Sequence, residues 1–92
     1  MKTLKISKRL LAIANLIDDN TSVIDVGCDH AYLDIYLVQN RNKISCIGID
    51  ISRPSINRAY ENIKKCGVLD NIKLFVSDGL KNIDIMPNST LI

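Results

Sequence analysis

The strongest constraint on this chain is an alternation. Short β-branched runs, each stopped by a glycine or an acid, take turns with longer stretches of helical period. Ser22-Val23-Ile24-Asp25-Val26 stops at Gly27, Ile44-Ser45-Cys46-Ile47-Gly48-Ile49 stops at Asp50, and Ile72-Lys73-Leu74-Phe75-Val76 stops at Ser77-Asp78-Gly79. Between the first two, Ala31 to Val38 is long enough for a helix, and Asp29 stands where an N-cap would. Between the second and third, Ser52-Arg53-Pro54 opens a helix with an apolar stripe of Ile56, Ala59, Tyr60, Ile63 and Cys66, and Gly67 ends it. Residues 1–20 read as an N-terminal amphipathic helix, with Ile6, Leu10, Ile13 and Ile17 on one side and Ser7 or Thr3 as its cap. Beyond the third strand, Leu80 to Ile85 is short and ambiguous, Pro87-Asn88 turns, and Ser89-Thr90-Leu91-Ile92 begins a fourth strand. Strands joined through helices run parallel, because the crossover returns each strand to the same end of the sheet. Residues 1–92 are therefore predicted to be one α/β unit, with β-α-β-α-β and the start of a fourth strand over 21–92.

Composition removes several classes of function. The chain has 92 residues, 47% of them hydrophobic, so it holds one domain with a modest core. Its formal charge of +2 gives no strong field, and overall basicity is no pointer to nucleic acid. Three Tyr, one Phe and no Trp argue against a base-stacking sheet. Cys28, Cys46 and Cys66 form no CxxC pair and His30 is the single histidine, so no metal site is expected. An odd cysteine count suits a reducing cytoplasm, the expected location. Lys2, Lys5, Lys8 and Arg9 precede an apolar run, but Asn15 interrupts it and Asp18-Asp19 follow, unlike a signal peptide. No run approaches the roughly 18 apolar residues of a membrane span.

In a parallel α/β sheet, ligands bind beyond the carboxyl ends of the strands. Those ends carry Gly27-Cys28-Asp29-His30, Asp50-Ile51 and Ser77-Asp78-Gly79, with Asp25 inside the first strand. Gly27 lets a ligand come close to the backbone or lets the chain bend into the helix. An acid about 20 residues past such a glycine, here Asp50, is placed to accept hydrogen bonds from both ribose hydroxyls. Asp78 is placed to meet an adenine amino group, with Gly79 leaving room for the ring. The GxGxxG pattern is missing, since Asp29 and Ala31 follow Gly27, and so is GxxxxGK[ST]. Asp29 would repel a pyrophosphate at the helix N-terminus. A nucleoside with an ammonium and a sulfonium meets no such repulsion, so S-adenosylmethionine is favoured over NAD, FAD or ATP.

The string Val23-Ile24-Asp25-Val26-Gly27-Cys28-Asp29-His30-Ala31-Tyr32-Leu33, preceded by Ile6-Ser7-Lys8-Arg9-Leu10, resembles the start of bacterial tRNA (adenine-N1)-methyltransferases that modify a D-loop adenosine. The resemblance covers most of the chain. It implies the N-terminal half of a class I methyltransferase fold, a Rossmann-like parallel sheet of seven strands when whole. It also implies that Asp25, Gly27, Cys28, Asp29 and His30 surround the methionine part of the cofactor. Asp50 with Ile51 would take the ribose, Asp78 with Gly79 the adenine edge, and Lys8 and Arg9 would contact tRNA. Two positions depart from the pattern: Cys28 replaces a small serine, and Asp34 stands where a proline is expected after Ala31-Tyr32-Leu33. The family's Gly-rich motif after strand four would lie past Ile92. The chain is thus expected to supply the cofactor-binding half of an enzyme and to be inactive alone, and no residue in it stands out as a catalytic base.

Plainer readings exist for the same residues. Asp29 is also a helix cap, His30 a structural histidine, Asp78-Gly79 an ordinary turn, and the basic residues, including Arg53, Arg58, Lys64 and Lys65, solvated helix faces. Two other functions fit the sequence. One is an NAD(P)-binding oxidoreductase fragment, against which the missing glycines weigh. The other is a non-catalytic, RNA-binding remnant.

Overall fold

Four strands lie parallel in the order β3-β2-β1-β4, in a computed structural model that describes residues 5–41, 43–81, 83 and 89–92. The elements run α1 (Lys8–Ala14), β1 (Ser22–Val26), α2 (Tyr32–Asn40), β2 (Ser45–Asp50), α3 (Arg53–Lys65), β3 (Ile72–Val76) and β4 (Ser89–Leu91). This is the N-terminal part of a Rossmann-like sheet. The first and third strands fall where the sequence places them, and the second begins one residue later, at Ser45. Pro87-Asn88 and Thr3 lie outside the described residues. In the ambiguous segment that follows β3, Leu80 and Lys81 form a turn, and residues 82, 84 and 85 lie outside the described residues.

Register explains the core. Val23, Cys46 and Ile72 stand side by side across β1, β2 and β3, and Asp25, Gly48 and Leu74 do so two residues further on. Side chains alternate across a pleated strand, so both rows point to the same face. Val23, Cys46 and Ile72 pack there with Ala31, Leu33, Ile35 and Leu37, around α2, and with Ala59 and Ile63 of α3. On the opposite face Ile24 and Ile49 are buried, whereas Val26 and Phe75 remain exposed. Among the described residues, no helix is long and apolar enough to cross a membrane.

Helix boundaries obey local chemistry with three departures from expectation. In α1, the Ser7 side chain accepts from the Leu10 amide, but the helix stops at Ala14 and the chain reaches buried Ile17 through turns. In α3, Ser52 caps the start, Pro54 falls in the first turn and Gly67 follows the end at φ 72°. Its buried face is Ile56, Ala59, Ile63 and Cys66, while Tyr60 is 46% exposed. Tyr60 sits one helical step of about 100° past Ala59, off the edge of that stripe. In α2 the cap is Ala31, not Asp29, and no side chain caps the helix.

The early end of α1 is compensated by Arg41, just past α2. Its guanidinium donates to the carbonyls of Ala14 (2.9 Å) and Ile17 and to the Asp19 carboxylate (2.8 Å). A planar fork of donors satisfies three acceptors that a lysine ammonium could not reach in one geometry. Arg41→Ala is expected to lower stability by about 1–3 kcal/mol, because partly buried carbonyls lose a charged donor. Urea unfolding measures this, and Arg41→Lys should recover less than half of the loss.

Candidate functional site

The site grows from the turn after β1. Gly27 adopts φ 76°, and its amide and that of Cys28 both donate to the Ile49 carbonyl at 2.7 and 3.0 Å. A built Cβ at Gly27 would meet nothing within 4 Å, so the demand for glycine is conformational and leaves open space above the backbone. Asp29 (φ 48°) and Ala31 (φ 61°) also hold left-handed conformations, which cost L-residues about 1–2 kcal/mol each. This sharp path displaces the start of α2 to Tyr32 and frees Asp29 from capping it.

The turn encloses a cavity of about 380 Å³. Asp25 forms one wall with Gly27, Cys28, Asp29 and His30, and Arg9, Leu10 and Ile13 of α1 form another. Tyr32 and Leu33 complete it from α2, and Ile92 from the strand edge. Arg9, expected from the resemblance to touch tRNA, therefore lines this cavity, whereas Lys8 is exposed.

Asp50 lies outside the cavity wall but anchors its rim. One carboxylate oxygen accepts from the Asp29 amide at 3.1 Å and the other from the Ser52 amide at 3.0 Å. The Ser77 amide donates to the Asp50 carbonyl at 3.0 Å, which sets Ser77-Asp78-Gly79 alongside. Asp29, Asp50 and Asp78 thus share one edge of the sheet. Ile51 beside them is 69% exposed, and Gly79 turns with φ 60°.

A second set of contacts steadies the loop, with no local sequence signal, because the partners come from α3. Arg58 reaches the Asp29 carboxylate at 3.5 Å and the Ser55 hydroxyl at 3.0 Å. The Asn62 side-chain amide donates to the His30 carbonyl at 3.0 Å. His30 Nδ1 lies 3.0 Å from the Asp29 carboxylate, and the imidazole stacks on Tyr32 with centroids 5.2 Å apart. Slight desolvation raises the Asp29 carboxyl, but His30 and the hydrogen bonds from Arg58, Ser55 and His30 outweigh it and hold the group below its usual range.

Inside, the balance reverses. Burial pushes the Asp25 carboxyl up, a hydrogen bond with Asp34 pulls it back, and Asp50 adds repulsion. Burial, with repulsion from Asp34, Asp25 and Asp50, pushes the Cys28 thiol up to about 12, so it stays protonated and unreactive. Asp34, overlooked as a site residue, is wholly buried beneath this loop.

Comparison with known proteins places the fold in a family. A family model described as a methyltransferase domain matches residues 6–92. The tRNA (adenine(22)-N(1))-methyltransferase of Bacillus subtilis is 35% identical over 83 residues, 90% of this chain and 35% of that protein. M. capricolum TrmK, solved with S-adenosyl-homocysteine, superposes with a TM-score of 0.81 at 40% identity, over 94% of this chain and 40% of that one. B. subtilis TrmK, an M1A22 tRNA methyltransferase, gives 0.84 at 32% identity, over 97% and 39%. The chain therefore spans little more than a third of the length of the relatives it matches. With a strand-end cavity walled by Asp25 and the Gly27 turn, and a family match over nearly every residue, the chain belongs to the methyltransferase-domain family.

Proposed function

We propose that this chain binds S-adenosylmethionine and forms the cofactor-binding portion of a tRNA methyltransferase that modifies an adenine at N1. The observation that carries this reading is the cavity at the carboxyl ends of the strands, with Asp25 in its wall and Asp29 and Asp50 hydrogen-bonded at its rim. The donor set fits the cofactor: anionic and hydroxyl-accepting groups suit an ammonium, a sulfonium and a ribose, and exclude a pyrophosphate. The space above Gly27 admits a ligand against the backbone.

In this reading Asp25 accepts from the cofactor ammonium. Arg9, across the same cavity, supplies charge for its carboxylate. Gly27, Cys28, Asp29 and His30 enclose the methionine part. Each carboxylate oxygen of Asp50 already accepts one amide, which fixes the group and leaves a lone-pair direction on each for a ribose hydroxyl. Ile51 packs on the nucleoside, and Asp78 with Gly79 borders the adenine. The bound cofactor supplies an electrophilic methyl group. The chain's contribution is to hold it in place, and orientation of this kind accounts for much of the rate in group transfer. Exposed Lys8 is a phosphate contact for tRNA. The relatives named as tRNA methyltransferases support the substrate, and a tRNA substrate implies the cytoplasm.

Calorimetry with S-adenosylhomocysteine tests the reading. Binding is expected, with an affinity loss of about tenfold or more in Asp50→Ala, the weight of a charge-assisted hydrogen bond. Unchanged affinity in that variant, or tight binding of NADH instead, would count against it.

A further inference from the structure

Beneath the cavity lies a carboxyl that the binding scheme does not use. Asp34 sits in the first turn of α2, is 0% exposed, and neither of its carboxyl oxygens meets a hydrogen-bond donor among the described residues. Gly48 makes its place: a Cβ built there would stand 3.2 Å from Asp34 Oδ2 and 3.0 Å from Cys28 Sγ. Gly48 pairs in register with Asp25, and neighbouring strands are only about 4.8 Å apart, so the Asp34 carboxyl lies beside that of Asp25. A hydrogen bond between the two carboxyls becomes available once one of them carries a proton.

Two ionised carboxylates cannot bond to each other, because both only accept. One proton between them makes a bond and removes one of two buried charges. Among the described residues, no cation forms an ion pair with either carboxyl. The groups facing the pair are the Cys28 thiol from the loop, the Cys46 thiol and Asp50 from β2, and Arg9 from α1 across the cavity, with Asp29 and His30 at the rim. Cys46 spends its thiol on the Asp34 carbonyl at 3.8 Å. Asp34 itself touches no cation among the described residues.

We propose that Asp34 carries a proton at neutral pH and donates it to Asp25, acting as a positioning residue that holds the Asp25 carboxylate towards the cavity. The positioning role rests on the cavity being the cofactor site; the shared proton does not. The pair then has two apparent ionisations that belong to it jointly. At low pH Asp25 is protonated and stops attracting an ammonium. At high pH the shared proton leaves, the two anions repel, and Asp25 loses its alignment. Asparagine at position 34 keeps a permanent donor, so it removes the alkaline loss and leaves the acid one. Leucine keeps the volume and removes the donor.

The experiment joins infrared spectroscopy of the chain with calorimetry against S-adenosylhomocysteine across pH. At neutral pH the wild type is expected to show a carboxylic-acid C=O band that Asp34→Asn lacks. Asp34→Asn should bind within about threefold of the wild type, and Asp34→Leu at least about tenfold more weakly, as for loss of a charge-assisted bond. The alkaline fall in affinity should be smaller in Asp34→Asn than in the wild type, since the ligand amine titrates alike in both. A missing band in the wild type overturns the proposal, as does equal weakness of the two variants. If Asp34→Leu fails to fold by circular dichroism, an alkaline fall unchanged in Asp34→Asn overturns it. A band present with no ligand bound by any form overturns the cofactor reading and the positioning role, and leaves the shared proton standing.

Discussion

Gly48→Val is expected to cost this chain about 3 kcal/mol or more, and Gly48→Ala about 1–3 kcal/mol, the range for overfilling a packed interior. The position has no slack. A Cβ there would stand 2.9 Å from Leu74 Cδ2 as well as close to Cys28 Sγ and Asp34 Oδ2. Leu74 is the end of a flexible side chain and can give way to one methyl group. Valine's two further methyls would also displace the Asp34 carboxyl from its only space. Urea unfolding followed by circular dichroism checks the order wild type, alanine, valine. An alanine variant as stable as the wild type would overturn the claim that Leu74, Cys28 and Asp34 leave no room at Gly48.

The second large effect is on the pH dependence of stability. Burial, together with repulsion and hydrogen bonding from Asp25, raises the Asp34 carboxyl well above its ordinary 3.8, and burial raises Asp25 as well. The folded chain therefore keeps a proton over a pH range where the unfolded chain has released it. That contribution is fully present below 3.8 and is lost as pH climbs through the folded-state value. Stability should fall as pH rises from about 4 through neutrality, by about 1.4 kcal/mol for each pH unit over which the folded chain alone holds the proton. Asp34→Asn carries no such titration and should flatten the curve over that window, leaving it above the wild type at neutral pH. Asp29 acts in the opposite direction, but only at and below its usual range, because its carboxyl is held low. Denaturant midpoints across pH for the two proteins decide the matter. Parallel curves would mean that Asp34 is ionised, or is absent from the titration.

Much of this fold is legible in local sequence, for identifiable reasons. β1 is a β-branched run stopped by Gly27, and β3 an apolar run stopped by the turn residues Ser77-Asp78-Gly79, patterns that leave little choice of end. Ser52 with Pro54 marks the start of α3 and Gly67 its end, since caps are local hydrogen-bond chemistry. The start of α2 is not legible, because Asp29 looks like a cap in sequence and only the left-handed turn at Asp29 and Ala31 carries the chain past it. The strand-end acids were visible through topology alone. Asp34 was not: a charged residue in a helix reads as solvent-facing, and the space it fills is created by a glycine on another strand. Arg58 and Asn62 were hidden for the same reason, as their contacts with the loop are tertiary.

The central position of β1 also bears on how the chain assembles. Its pairing with β2 joins hydroxyls 23 positions apart in sequence, at Ser22 and Ser45, whereas its pairing with β4 joins Thr21 and Thr90, 69 positions apart. Loop closure grows costlier with separation, and distant pairings form late in folding. The strands β1, β2 and β3 are therefore expected to pair before β4 does. β4 is expected to join last, bringing with it Ile92, so the wall that this residue adds to the cavity would be the last part to form.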